Sequence, residues 1–367
     1  MLIDLIVGAR PNFMKIAPLI RRIEARSTNG GLLRYRLVHT GQHYDARMSG
    51  DFFEQLGIPE PDVNLEVGSG TQAEQAAGIM VGYEKLLLAE PSALCLVVGD
   101  VTSTMACAIA AQKLHVPVAH VEAGIRSGDW SMPEEINRMV TDAITNWFFT
   151  TSEVANANLR QAGVGEERIF FVGNTMIDTL LGNMDRLRAP GFVAEQGLEP
   201  GGYFVLTLHR PSNVDASGPF AALLAAIADG TRGMPVVFPV HPRTAKTLRE
   251  LPGFPASIRL VDAQPYLEFN WLVKHAKAVI TDSGGITEET TVMGVPCMTL
   301  RTSTERPETI TIGTNELLGT DPAALKPALD RLFAGEWKKG GIPALWDGHT
   351  AERIVGHLEK LLTARAV

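Results

Sequence analysis

A chain of 367 residues exceeds the size at which one hydrophobic core keeps growing, so two domains are expected. With 45% hydrophobic and 20% charged residues it has a globular composition, which excludes a disordered or fibrous protein. Its net charge, 33 − 41 = −8, excludes the broad cationic surface that general nucleic-acid or anionic-membrane binding needs, so any basic residues that matter act locally.

In chain order, Leu2 to Val7 reads as a buried strand, and Gly8, Arg10 and Pro11 interrupt it before a signal sequence or membrane span could form, which gives the expectation of a cytoplasmic protein without membrane insertion. Further apolar runs follow at Tyr35 to Thr40, Leu94 to Val98, Pro117 to Val121, Trp147 to Thr150 and Ile169 to Val172, each trailed by a turn and an amphipathic stretch. Continuous hydrophobicity, as in LCLVV (94–98), suits strands of a parallel sheet covered on both faces. The rhythm restarts at YFVLTL (203–208) and continues through PVVFPV (235–240), IRLV (258–261), AVIT (278–281) and PCMTL (296–300), which is a second sheet. Between the two lies APGFVAEQGLEPGG (189–202), rich in Gly and Pro, where a linker falls within or just before the segment. The last helical stretch, Thr350 to Leu362, fits either domain by its pattern alone. The three cysteines, Cys95, Cys107 and Cys297, sit in apolar contexts without a CxxC, so neither a disulfide framework nor a metal site is expected.

Ligands of open parallel sheets bind beyond the carboxyl ends of the strands, where helix N-termini point. The residues there are Gly8-Ala9-Arg10-Pro11-Asn12 and Lys15, Gly41-Gln42-His43-Tyr44-Asp45, Gly99-Asp100 and Glu122-Ala123-Gly124 in the first half. In the second half they are His209-Arg210-Pro211, His241-Pro242-Arg243, Asp282-Ser283-Gly284-Gly285, Arg301 and Glu305-Arg306-Pro307. So many imidazole, acidic and guanidinium groups in one topological position read as a binding rim. The chain has no GxGxxG opening a helix, no P-loop and no HExxH, so the chemistry comes from side chains. Ser283-Gly284-Gly285 offers bare N–H groups and a helix dipole to a phosphate, or is a plain turn with a Ser N-cap. In MPEEINR (132–138), Pro133 in the first helical turn, Glu134 and Glu135 against the dipole, and an i,i+4 pair from Glu134 to Arg138 are routine helix chemistry. Asp100 could be an N-cap, His209 and His241 packing residues; Glu122 caps nothing evident.

RPN…K (10–15), GQHYD (41–45), VVGDVTST (97–104), HVEAGIRS (120–127), MPEEINR, VGNTMID (172–178), HRPSN (209–213), PVHPR (239–243), TDSGGITEE (281–289) and TERPE (304–308) occur in this order, and with them the sequence resembles the non-hydrolysing UDP-N-acetylglucosamine 2-epimerases over nearly its whole length. The resemblance implies an α/β protein of two Rossmann-like domains with parallel sheets in the GT-B arrangement. The implied domains are residues 1–173, joined by the C-terminal helix 350–367, and residues 174–349 as the UDP-binding domain. A UDP-sugar would lie in the interdomain cleft. Also implied are a homodimer, a role in polysaccharide biosynthesis and interconversion of UDP-N-acetylglucosamine and UDP-N-acetylmannosamine with no cofactor and no metal. By the same resemblance Arg10, Lys15, His209, Ser283, Gly284, Gly285 and Arg306 would hold the nucleotide and its diphosphate. Glu289 would take the ribose hydroxyls, Gln264 and Phe269 would border the uracil, and Asp100, Glu122 and Glu134 would face the sugar.

Those residue types suit an elimination and re-addition. Such chemistry needs a carboxylate base on one face of carbon 2, a proton donor on the other, and cations to bear the diphosphate charge. The catalytic candidates are therefore Asp100, Glu122, Glu134, His209 and Lys15, with the assignment of acid to face left open. Tyr44-Asp45 departs from bacterial members with an activating UDP-N-acetylglucosamine site, so allosteric activation is not carried over. Alternatives within reach of the same residues are a 2-epimerase of a modified UDP-sugar such as a 2,3-diacetamido uronic acid, a hydrolysing epimerase, a GT-B glycosyltransferase and a silent UDP-sugar binder.

Overall fold

The structure, a computed structural model, describes residues 1–41, 54–210, 213, 217–240, 245, 248 and 253–366, apart from the side chains at 10, 217, 218 and 366. The chain divides into two compact units, Met1–Gly182 with Ala344–Val367, and Asn183–Pro343.

In the first unit the elements are β1 (Leu2–Val7), α1 (Arg10–Ser27), β2 (Arg34–His39), β3 (Val63–Asn64), α2 (Gln72–Ala89), β4 (Leu94–Val98), α3 (Thr102–Lys113), β5 (Val118–Val121), α4 (Pro133–Ile144), β6 (Trp147–Thr150), α5 (Glu153–Gln161), β7 (Ile169–Phe171) and α6 (Thr175–Asn183). All sheet pairings are parallel and the strand order is β3-β2-β1-β4-β5-β6-β7. Every residue of β4 is buried, because helices cover both faces of the sheet. One of them, α3, presents Ala106, Cys107, Ala108, Ala110 and Ala111 to the core, small side chains that let it lie close to the strands. Local signals set the helix ends: Thr71 and Glu74 form a capping box on α2, and Ser152 caps α5 by accepting from the Ala155 N–H. Where β1 ends, Gly8 has Ser103 and Thr40 against its α-carbon and admits no side chain.

The C-terminal helix Thr350–Ala366 belongs to this unit. Asp178 of α6 accepts from the Thr350 and Ala351 N–H groups at 3.1 and 2.7 Å, capping it, and Trp346 donates to the Thr151 carbonyl at 3.0 Å. Glu352 and Glu359 pair with Arg22 and Arg26 of α1.

The second unit contains α7 (Gly191–Glu195), β8 (Phe204–Thr207), α8 (Ser217–Gly230), β9 (Val236–Val240), β10 (Ile258–Asp262), α9 (Tyr266–His275), β11 (Ala278–Thr281), α10 (Gly284–Met293), β12 (Cys297–Thr299), α11 (Pro307–Thr311), β13 (Asn315–Leu317) and α12 (Leu325–Phe333). Its strands are again all parallel, ordered β10-β9-β8-β11-β12-β13. Both sheets thus repeat the Rossmann order, with the chain reversing direction across the sheet between β1 and β4 and between β8 and β11. The segment 189–202 carries more structure than its Gly and Pro content predicts, since Val193 and Leu198 are buried against Tyr203, Val205 and Val279. Among the described residues, no helix is long and apolar enough to cross a membrane.

Candidate active site

At the switch point of the first sheet, β4 runs into Gly99 and Asp100, and β5 into Glu122. Lys15, from the second turn of α1, forms an ion pair with Glu122, and both are buried. Gly99 sits at φ +66, and a β-carbon there would stand 2.9 Å from Lys15 Nζ and 3.2 Å from Glu122 Oε2, so glycine is what lets the backbone pass this pair. Glu122 itself takes φ +69, a conformation that costs a non-glycine residue strain and persists because the fold over-determines it. Its N–H and that of Ala123 donate to the Phe149 carbonyl, and Gly124 N–H donates to Asp142.

Asp100 is gripped by Arg138 of α4, whose Nη2 and Nε reach Asp100 Oδ2 at 2.6 and 3.0 Å, while Asn137 donates to the Asp100 carbonyl at 2.8 Å. Val101, not Asp100, occupies the N-cap position of α3. Arg138 also pairs with Glu135 at 2.6 Å, so the helix pair expected from Glu134 to Arg138 gives way to one spaced i,i+3, tied to Asp100. Burial alone would raise the Glu135 carboxyl. The Ser127 and Gly128 N–H groups and Arg138 overcome it and hold the group below the ordinary carboxylate range. Glu134 lies in the first turn of α4, half-buried. Behind the Asp100 turn, His120 Nε2 donates to the Gly99 carbonyl at 2.8 Å and its Nδ1 meets Asp142 at 2.8 Å.

At the switch point of the second sheet, Asp282 follows β11 and is fully buried. It accepts from the Arg210 N–H at 2.9 Å and Asn213 Nδ2 at 3.0 Å, and its Oδ1 lies 2.7 Å from His209 Nδ1. Burial pushes this carboxyl up, but His209 and the donors around it hold it below its ordinary value. A buried anion thus orients an imidazole that is 63% exposed. His209 is therefore no packing residue. Ser283 stands at the N-cap of α10 without using its side chain to cap, so Gly284 and Gly285 open the helix with bare N–H groups.

Five residues farther into α10, Glu289 is buried and accepts from Tyr266 at 3.1 Å and Asn270 at 3.4 Å. Burial, aided by the neighbouring Glu288, pushes it up to about 7 against those two donors. Arg306 pairs with buried Glu288, Gln264 donates to the Asp262 carbonyl at 2.7 Å, and Phe269 packs partly buried on the core beneath α9.

The described structure therefore joins Lys15 to Glu122 and gathers His209 and Ser283 to Gly285 at one switch point. Gln42 to Asp45, Pro211, Ser212, His241, Pro242, Arg243 and the Arg10 side chain lie outside the described residues. Sequence reasoning did not anticipate that Asp282 would hold His209, that Arg138 would bridge Asp100 and Glu135, or that His120 would meet Asp142; Asp142 lies outside every motif read from the sequence, and the others had only their place inside one as a signal. Among the described residues, no group of His, Cys, Asp and Glu is arranged to hold a metal ion.

An exposed His held by a buried Asp, a glycine-opened helix N-terminus and a Lys–Glu pair, each at the carboxyl edge of a parallel sheet, put the chain in a class: enzymes of two Rossmann-like domains that act on a phosphate-bearing substrate. The profile of the UDP-N-acetylglucosamine 2-epimerase family matches residues 26–359, and the chain belongs to that family. It is 39% identical to the UDP-N-acetylglucosamine 2-epimerase of Methanocaldococcus jannaschii, over 97% of this chain and 98% of that one. It is 40% identical to the UDP-2,3-diacetamido-2,3-dideoxy-D-glucuronate 2-epimerase of Pseudomonas aeruginosa, over 97% and 99%. The crystal structure of the M. jannaschii enzyme in complex with UDP-N-acetylglucosamine and UDP superposes with a TM-score of 0.87 at 38% identity, covering 98% of this chain and 100% of that one.

Proposed function

We propose that the protein interconverts UDP-N-acetylglucosamine and UDP-N-acetylmannosamine at carbon 2. The observation that carries this reading is the division of labour between the two switch points, acids and Lys15 on one, His209 and the bare helix N-terminus on the other. The proton on carbon 2 is not acidic enough for direct removal, so the reaction uses the leaving group next to it. A base takes that proton while the bond from carbon 1 to the UDP oxygen breaks, giving 2-acetamidoglucal and UDP. UDP then re-adds at carbon 1 as an acid delivers a proton to the other face of carbon 2.

Asp100, Glu122 and Glu134 are the candidates for the proton transfers. Glu122 forms an ion pair with Lys15, and Arg138 holds Asp100 through its Nε and Nη2. The N-terminus of α10, His209, Arg10 and Arg306 bear the charge that grows on the departing diphosphate. Glu289, which burial holds partly protonated near neutrality, can donate as well as accept toward ribose hydroxyls, with Gln264 and Phe269 toward the base. The protein works in the cytoplasm as a homodimer and supplies a sugar for polysaccharide synthesis.

Proton NMR with UDP-N-acetylglucosamine in deuterated water tests this reading, the expected product being the manno epimer with deuterium at carbon 2. Protium retained there, or a requirement for added NAD, refutes the elimination. A second reading, a UDP-2,3-diacetamido uronic acid as substrate, is favoured by the P. aeruginosa relative, and the same assay with that sugar decides between them.

A further inference from the structure

Two residues beyond β12, on the same edge of the second sheet as Asp282 and Ser283, Arg301 is buried, its side chain only 3% exposed. One of its nitrogens, Nη2, reaches Glu305 Oε2 at 2.6 Å, whereas Nε and Nη1 are buried with no hydrogen-bond partner. A guanidinium carries five donors, and leaving the three on Nε and Nη1 buried and unmet is costly unless something else satisfies them. The direction in which they face is given by Gly284, the first residue of α10. A β-carbon on Gly284 would lie 3.7 Å from Arg301 Nη1 and 3.0 Å from Glu305 Oε1. The Glu305 carboxylate thus stands beside the opening turn of a ten-residue helix, the place that the helix dipole and its unpaired N–H groups prepare for an anion.

We propose that Arg301 is a phosphate-binding residue of the second unit and that Glu305 is its resident counter-anion, which the phosphate of the ligand displaces from the N-terminus of α10. The planar fork of Arg301 holds one carboxylate through one nitrogen, and a phosphate, with more acceptor oxygens, can engage the others as well. Glu305 keeps a buried cation and a helix terminus compensated while no ligand is bound, and it competes with the ligand for both. This rests on the reading of α10 as a diphosphate site, and it adds an exchange that the sequence motifs do not contain.

Calorimetric titration of the whole chain with UDP and with inorganic pyrophosphate, paired with thermal melting, separates the two. Glu305→Gln keeps shape but removes the competing charge. It should melt below wild type without ligand, because Arg301 is left uncompensated, yet bind UDP and pyrophosphate about tenfold or more tightly, the worth of a charge-assisted hydrogen bond. Glu305→Asp, the milder change, should shift affinity in the same direction by less. Arg301→Lys keeps the charge and loses the fork, and should weaken both ligands by about tenfold. In the double variant the gain from Glu305→Gln should shrink. Equal or weaker binding by both Glu305 variants, or wild-type affinity in Arg301→Lys, overturns the exchange while UDP binding by wild type still stands. A wild-type protein that binds neither UDP nor pyrophosphate removes the diphosphate site itself.

Discussion

Replacing Glu289 by glutamine removes a carboxyl that burial pushes from an ordinary value of 4.5 up to about 7. The unfolded chain releases this proton near the ordinary value and the folded protein only near 7, so between those values the folded state binds the extra proton and stability falls as pH rises. Below the window both states are protonated and nothing is lost. Above it the full cost applies, about 3 kcal/mol at roughly 1.4 kcal/mol per pKa unit. The depressed carboxyls Asp282 and Glu135 give the opposite slope, stabilising at neutral pH and losing that effect in acid, so the comparison is variant against wild type. Glutamine fills the same space and still accepts from Tyr266 and Asn270. Scanning calorimetry of both proteins between about pH 5 and pH 8 should show the variant gaining roughly 2 to 3 kcal/mol on wild type in the transition of the second unit. That is several degrees, at about 2–4 °C per kcal/mol for a unit of this size. A stability difference that stays constant across this range would refute the argument that Glu289 is held protonated by burial.

If Asp100 and Glu122 move protons, Asp100→Asn and Glu122→Gln should each lower turnover by about 10²- to 10⁴-fold while UDP affinity, read by titration, changes little. Near-wild-type turnover in both would pass the role to Glu134 and His209. Asp282→Asn leaves His209 without the anion that orients it, and should lower kcat by up to about 10²-fold and alter the pH profile of kcat. A profile identical to that of wild type would mean that Asp282 serves only the backbone N–H groups of His209 and Arg210.

Hydrophobic runs were enough to find most of both sheets. Leu2–Val7, Leu94–Val98, Trp147–Thr150 and Ala278–Thr281 begin and end where the apolar pattern does, because strands buried on both faces are mostly apolar, and the one acid inside them, Asp4 of β1, is held by Arg36 and Tyr83. The exceptions are β3, of two residues, and β13, Asn315–Leu317, at sheet edges. Segments so short, half exposed and polar, pair only because a neighbouring strand offers them a ladder, and no pattern along the chain records that neighbour. The segment 189–202 shows the reverse case, where Gly and Pro content hid a helix whose Val193 is held in place by the core of the second unit.

The sequence by itself determined the α/β class, the two parallel sheets and the set of polar motifs at their carboxyl edges, since periodicity and turn residues are properties of the chain in one dimension. It could not tell Glu134 from Glu135 as the partner of Arg138, because both stand in the first turn of α4 and one residue of helical rotation separates them by about 100°. Nor could it show that Asp282 holds His209, that Lys15 meets Glu122 from 107 residues away, or that Glu305 stands at the N-terminus of α10. Those pairings are decided by which strands lie side by side. Parallel order brings residues far apart in sequence to one edge, and only there do burial and charge determine which side chain each one meets.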